Sequence, residues 1–98
     1  MFTIDLSDDA LEELLHFRKR DNTIIFDEIE QVFFNVPLVL APDVKHSQTE
    51  PRFHALGRTT AGRLLHITFT LRFEGRKIRP ISARDMHRKE RRVYEEST

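Results

Sequence analysis

The segment Arg63-Leu64-Leu65-His66-Ile67-Thr68-Phe69-Thr70-Leu71-Arg72 decides the fold. Leu65, Ile67, Phe69 and Leu71 are all apolar, while the interleaved positions read Leu64, His66, Thr68, Thr70 and Arg72. A repeat of two is the repeat of a strand, and this one buries one face and leaves the other largely polar. Working outward, Thr60-Ala61-Gly62 is a turn, and Arg52–Thr59 before it reads as the neighbouring strand. Arg52, His54 and Arg58 share one face of that strand, with Leu56 among them. On the other side, Glu74-Gly75 makes a second tight turn into a last strand, Arg76–Ala83, where alternation puts Arg79 on the face of Ile81. Val36–Ala41, an apolar run closed by Pro42-Asp43, supplies a further short strand. The loop Pro42–Pro51, with Asp43, His46 and Glu50, is polar and expected to be mobile.

Helices flank this sheet. Phe2–Leu6 is a short strand, an edge or an extended arm. Ser7 ahead of Asp8 and Asp9 gives a capping oxygen and negative charge near the positive end of a helix dipole. Leu11, Leu14, Leu15 and Arg18, with Ala10 and Phe17 beside them, carry helical spacing through to about Arg20. After the break at Asp21-Asn22-Thr23, a second helix is marked by Ile25, Phe26, Ile29, Val32 and Phe33 and ends before Pro37. A third runs from about Asp85 to Glu96, with Met86, Val93 and Tyr94 as its apolar stripe. The expectation is an α+β fold: two N-terminal helices, an antiparallel sheet of three to four strands and a C-terminal helix, as one domain over residues 1–98.

Composition narrows the partners. The 98 residues carry 16 Lys+Arg and 16 Asp+Glu, for a formal net charge of zero. That neutrality is divided: residues 1–50 hold 4 basic and 11 acidic groups (4 − 11 = −7), residues 51–98 hold 12 and 5 (12 − 5 = +7). A basic half of this kind attracts polyanions, unless the halves neutralise each other on folding. With no cysteine, disulfides, thiolate metal sites and cysteine nucleophiles are excluded. Met1–Asp9 lacks the basic-then-apolar pattern of a signal peptide, and no apolar run approaches a bilayer span, so a cytoplasmic location without membrane contact is expected.

The chemistry gathers in Ile78–Tyr94, which runs from an arginine-bearing strand into a helix rich in positive charge and offers cations, a carboxylate, an imidazole and a phenol. If the strands align, one side of the sheet is polar and cationic and holds His54 and His66, which serves either a half-wet antiparallel sheet or an RNA-binding face. Glu90 lies on the inward stripe of the last helix among Arg88, Lys89, Arg91 and Arg92, so it requires a partner, for which Arg84 or a sheet arginine would serve. Tyr94 suits a packed ring with a bonded hydroxyl as well as a catalyst. The five histidines show no ligand spacing, Gly57, Gly62 and Gly75 form no nucleotide loop, and the serines sit in no nucleophile turn, so no metal or cofactor is expected.

Phe53-His54-Ala55-Leu56-Gly57, Gly62-Arg63-Leu64-Leu65, Phe69-Thr70-Leu71-Arg72, Ile78–Arg84 and Arg88–Glu96 together resemble the BrnT toxin family over roughly residues 43–96. The resemblance implies a RelE-like ribonuclease toxin of a type II toxin–antitoxin pair. Such a toxin cuts RNA, slows translation and is silenced by a cognate BrnA-type antitoxin, which also supplies the contact with operator DNA. The N-terminal half departs from the family pattern. Ile4-Asp5-Leu6 stands where members carry Trp-Asp-Pro, and Arg18–Thr23 replaces an Asn…Lys-His-Gly run.

The residues allow cleavage of an RNA phosphodiester by its own 2′-hydroxyl without a metal. Arg72, Arg79 and Arg84 are expected around the phosphate, Glu90 as the base or as the group that orients one, and Tyr94 or His46 as the acid. Arg52, His54, Arg58, His66, Arg79, Arg88 and Arg91 are expected to bind RNA. A non-catalytic RNA- or protein-binding module of the same fold would use the same basic face without needing Glu90 or Tyr94, and that face could equally be the antitoxin dock.

Overall fold

The computed structural model describes residues 3–5, 7, 9, 24–45, 50–72 and 75–98. In chain order these form β1 (Thr3–Ile4), α1 (Phe26–Phe34), β2 (Val39–Asp43), β3 (Arg52–Arg58), β4 (Leu64–Arg72), β5 (Lys77–Asp85) and α2 (Arg88–Glu96). One sheet takes the strands in the order β1-β5-β4-β3-β2. β2 to β5 are antiparallel neighbours, and β1 lies parallel to the outer edge of β5. The architecture is the expected α+β with a four-strand antiparallel sheet. The expected first helix, through about Arg20, lies outside the described residues.

The apolar stripe of β4 becomes the centre of the main core. Leu65, Ile67 and Phe69 are buried with Ala55 of β3 and Ile78 and Ala83 of β5, against Ile29 and Val32 of α1. Phe69 anchors an aromatic group, edge-on to Phe33 (centroids 5.2 Å apart) and stacked with Phe53 (5.5 Å). α1 approaches β3 closely at Gly57, where a Cβ would stand 2.7 Å from Val32 Cγ1. Only a residue without a side chain fits this crossing. Ile25, expected in the apolar stripe, is instead the exposed N-cap, and Glu28 Oε1 accepts its backbone N–H at 3.2 Å. Arg63 ties the end of β5 to α1 by bonding Asp85 at 2.8 Å and Glu28 at 3.4 Å.

Three boundaries differ from the sequence reading. β2 starts at Val39 rather than Val36, because the chain bends through Asn35–Pro37 before it reaches the sheet. Asp43, expected in a polar loop, closes β2 opposite Arg52 and is buried. β5 runs on to Asp85, because Arg84 and Asp85 pair with His66 and Leu65, and the helix starts only after His87. β5 also carries a bulge. Thr68 pairs with Ser82 while Phe69 pairs with Pro80, which leaves Ile81 as the extra residue. Pro80 has no amide to give to the ladder, and a bulge is where proline fits inside a sheet. The bulge separates Arg79 from Ile81: Ile81 is buried, while Arg79 sits opposite Thr70 on the polar face.

Candidate active site

The register lays out the second face of the sheet residue by residue. Next to Leu56 of β3 stand His66 and then Arg84; next to His54 stand Thr68 and Ser82; next to Arg52 stand Thr70 and Arg79; Arg72 ends the row beside Lys77. α2 lies over the first part of this face. Met86 and Tyr94 pack on Leu56, with Val39 and Leu64 beside them, in a second, small apolar cluster. Met86 does so from the turn before the helix, and Val93, expected in the stripe, is exposed. The hydroxyl of Tyr94 donates to the carbonyl of Pro37 at 2.6 Å, which pins α2 to the chain entering β2.

Glu90 is the junction of the site. Arg84 donates to both of its oxygens, at 2.7 and 2.8 Å, in a bidentate pair. The backbone N–H of His87 donates to the same carboxylate at 2.8 Å, so Glu90 also closes the first turn of α2. The Arg84 bonds, aided by the His87 amide and outweighing burial, pull its carboxyl down to about 2. Glu90 is therefore ionised throughout the neutral range. His66 Nε2 stands 3.8 Å from Glu90 Oε2, the oxygen that also accepts from Arg84 at 2.8 Å. Burial, with Arg84 nearby, lowers the His66 imidazole to about 4, so it is neutral at pH 7.

A second polar group adjoins the first. The rings of His54 and His66 tilt together with centroids 4.7 Å apart. His54 Nε2 lies 3.1 Å from Asp43 Oδ2, and its Nδ1 lies 3.3 Å from the Thr68 hydroxyl. Asp43 was not among the expected site residues, and its local sequence, Pro42-Asp43-Val44, reads as a loop. Only the β2–β3 register, which sets Ala41 opposite His54, brings its carboxylate within reach of the imidazole.

The expected site residues thus divide. Arg84, Glu90, His54 and His66 come together. Arg79 lies further along the same face, and Arg72 further still, with its Nε 3.3 Å from Glu50. Arg72 and Arg84 sit beside Lys77 and His66, at opposite ends of β4, roughly 20 Å apart along the strand, so the polar face is a track and not a ring of arginines. Arg52 is half-buried on that track, while exposed Arg58 donates to the Val36 carbonyl at 3.2 Å near the α1 end. Arg88 and Arg91 are exposed on α2, where with Met86, Arg92 and Glu95 they line a shallow groove. His46 lies outside the described residues. The divided charge of the sequence is partly neutralised, since Glu28–Arg63 and Glu50–Arg72 each join an acid of the first half to an arginine of the second. Among the described residues no group of three or more His, Cys, Asp or Glu side chains is placed to hold a metal ion, and no helix is long and apolar enough to cross a membrane.

Comparison with known proteins bears on the same residues. No curated protein matches the chain. A family model described as "Ribonuclease toxin, BrnT, of type II toxin-antitoxin system" matches residues 15–90, and so reaches well before the blocks that carry the resemblance. This span takes in α1, the four antiparallel strands and the Arg84–Glu90 pair, and the chain belongs to the BrnT family of ribonuclease toxins of type II toxin–antitoxin systems.

Proposed function

We propose that the chain is an endoribonuclease that needs no metal ion, that its cuts slow translation, and that a cognate BrnA-type antitoxin silences it. In this reading the RNA strand lies along the polar face and the scissile phosphate sits over the small side chains of Thr68 and Ser82. Arg84 and Arg79 lie two positions to either side of that pair, roughly 7 Å along the strand in each direction. From there their guanidinium groups can meet the phosphate oxygens and the charge that grows on them. Arg72 and Arg52 would take the next phosphate along, and Arg58, Arg88 and Arg91 outer parts of the strand. Glu90, ionised at neutral pH, orients Arg84 and does not carry a proton.

The observation that carries the reading is the bidentate Arg84–Glu90 pair in the half-open space between α2 and the sheet. A pair built only to dock the helix would gain little from standing beside two histidines and a cationic strand. The test is inducible expression of the wild-type chain beside the Arg84→Ala/Glu90→Gln double variant, with growth and RNA integrity followed. Growth arrest and new RNA ends are expected from the wild type alone, with cleavage in the double variant about 10²-fold slower. Intact RNA and normal growth under soluble, folded wild-type protein would sink the proposal and leave a binding module.

A further inference from the structure

Resting on the ribonuclease reading, we propose that His54 is the general base of the cleavage, held in the active tautomer by Asp43. The argument begins with hydrogen-bond inventory. An ionised carboxylate only accepts, so Asp43 Oδ2 at 3.1 Å requires a hydrogen on His54 Nε2. In its unprotonated form the imidazole then has its lone pair on Nδ1, and the atom facing Nδ1, at 3.3 Å, is the Thr68 hydroxyl. In this tautomer the Thr68 hydroxyl can donate to Nδ1, and the ribose 2′-hydroxyl of a strand lying over Thr68 and Ser82 would take over as donor when the Thr68 hydrogen turns away.

Burial fits the two parts. The Asp43 side chain is 9% exposed and the His54 side chain 32%, so the carboxylate is fixed and screened while the imidazole remains open to a substrate. The neighbouring histidine cannot serve in its place. His66 is buried beneath α2 with Glu90 and Arg84 about it, and its ring backs onto that of His54. It supports His54 from one side as Asp43 does from the other.

The step balances as follows. His54 Nδ1 takes the proton of the 2′-hydroxyl, and the 2′-oxygen forms a bond to phosphorus. The P–O5′ bond breaks, and its electron pair leaves on the 5′-oxygen, which takes a proton from water. The imidazolium returns its proton to solvent. The products are a 2′,3′-cyclic phosphate and a 5′-hydroxyl.

The experiment uses the full chain made by cell-free synthesis, a single-stranded RNA oligonucleotide, and measured rates, end groups, RNA affinity and melting temperature. His54→Ala and the more conservative His54→Gln are expected to fold, to bind RNA within about threefold of wild type, and to cut it about 10²–10⁴-fold more slowly. Asp43→Asn leaves the imidazole free to turn to the wrong tautomer, so its rate should fall by at least about tenfold with affinity unchanged. Either folded His54 variant cutting within threefold of wild type would overturn the dyad and leave the ribonuclease reading standing. So would a loss of cutting matched by an equal loss of binding, or wild-type products bearing 5′-phosphate and 3′-hydroxyl ends. A folded wild type that cuts nothing would overturn both.

Discussion

The two faces of this one sheet are held down by different physics. Under α1 the contact is almost wholly apolar: Ile29 and Val32 press on Ala55, Leu65, Ile67 and Phe69, and among the described residues no charged side chain belongs to this cluster. Under α2 the apolar part shrinks to Leu56, Met86 and Tyr94, and the helix is tied by Glu90 to Arg84 and by Tyr94 to Pro37. Apolar burial is indifferent to pH and tolerant of what surrounds it. An ionic dock is neither, and it costs desolvation. A face that carries that cost on a cationic strand is where the proposed chemistry would sit, and the apolar face would supply the stability that allows it.

The largest effect should come from the stable side. Ile67 is completely buried at the centre of the α1 face, and Ile67→Ala removes its side chain where neighbours cannot close in. A loss of about 4 kcal/mol is expected in urea unfolding. Cleavage per folded molecule should stay as in the wild type, since no polar group moves. A loss below about 1 kcal/mol would mean that the α1 face is not the main store of stability, and the contrast between the faces would fail.

That asymmetry was only half legible in the sequence. The alternation of Leu65, Ile67, Phe69 and Leu71 shows the apolar face outright, because a period of two is local information. Glu90 could be seen to need a partner, because a carboxylate on an inward helical stripe among arginines has few alternatives, and Arg84 fills the place. What stayed hidden depends on pairing between distant segments. Asp43 reaches His54 only through the β2–β3 register. Arg79 joins the polar face only through the extra residue Ile81, for which Pro80 was the sole local sign. Met86 packs from a turn and not from the helix, because pairing with His66 and Leu65 carries β5 on through Arg84 and Asp85.

Acid should separate the faces next. His66 titrates near 6.5 when unfolded and at about 4 when folded, flanked by His54 from β3, Arg84 from β5 and Glu90 from α2. Between those values the unfolded chain binds the proton and the folded one does not, so lowering the pH favours unfolding. The contribution is whole above pH 6.5 and gone below about 4, and is on the order of 3 kcal/mol. Glu90, moved from 4.5 to about 2, continues the loss in the same direction at lower pH. Urea midpoints across pH 8 to 3 should therefore fall in two stages. His66→Asn should flatten the first stage and leave the second. A wild-type midpoint that holds steady from pH 7 to 4 would show that His66 is not kept neutral by the α2 dock.

The smallest effect decides what Tyr94 does. Its ring is buried on Leu56 and its hydroxyl is committed to the Pro37 carbonyl at 2.6 Å, so to protonate a leaving oxygen it would first have to break that bond. We assign it the anchor's part. Tyr94→Phe keeps the ring and removes one hydrogen bond, for a loss of about 1 kcal/mol in urea unfolding, most of it from the carbonyl left without its donor. Cleavage at saturating RNA should change by less than about twofold, since a general acid is worth 10²-fold or more. The gap between those two numbers makes the variant decisive. A drop of 10²-fold in a protein that has lost only 1 kcal/mol would move Tyr94 from the dock to the chemistry, and α2 would then be a part of the site that must shift before each cut.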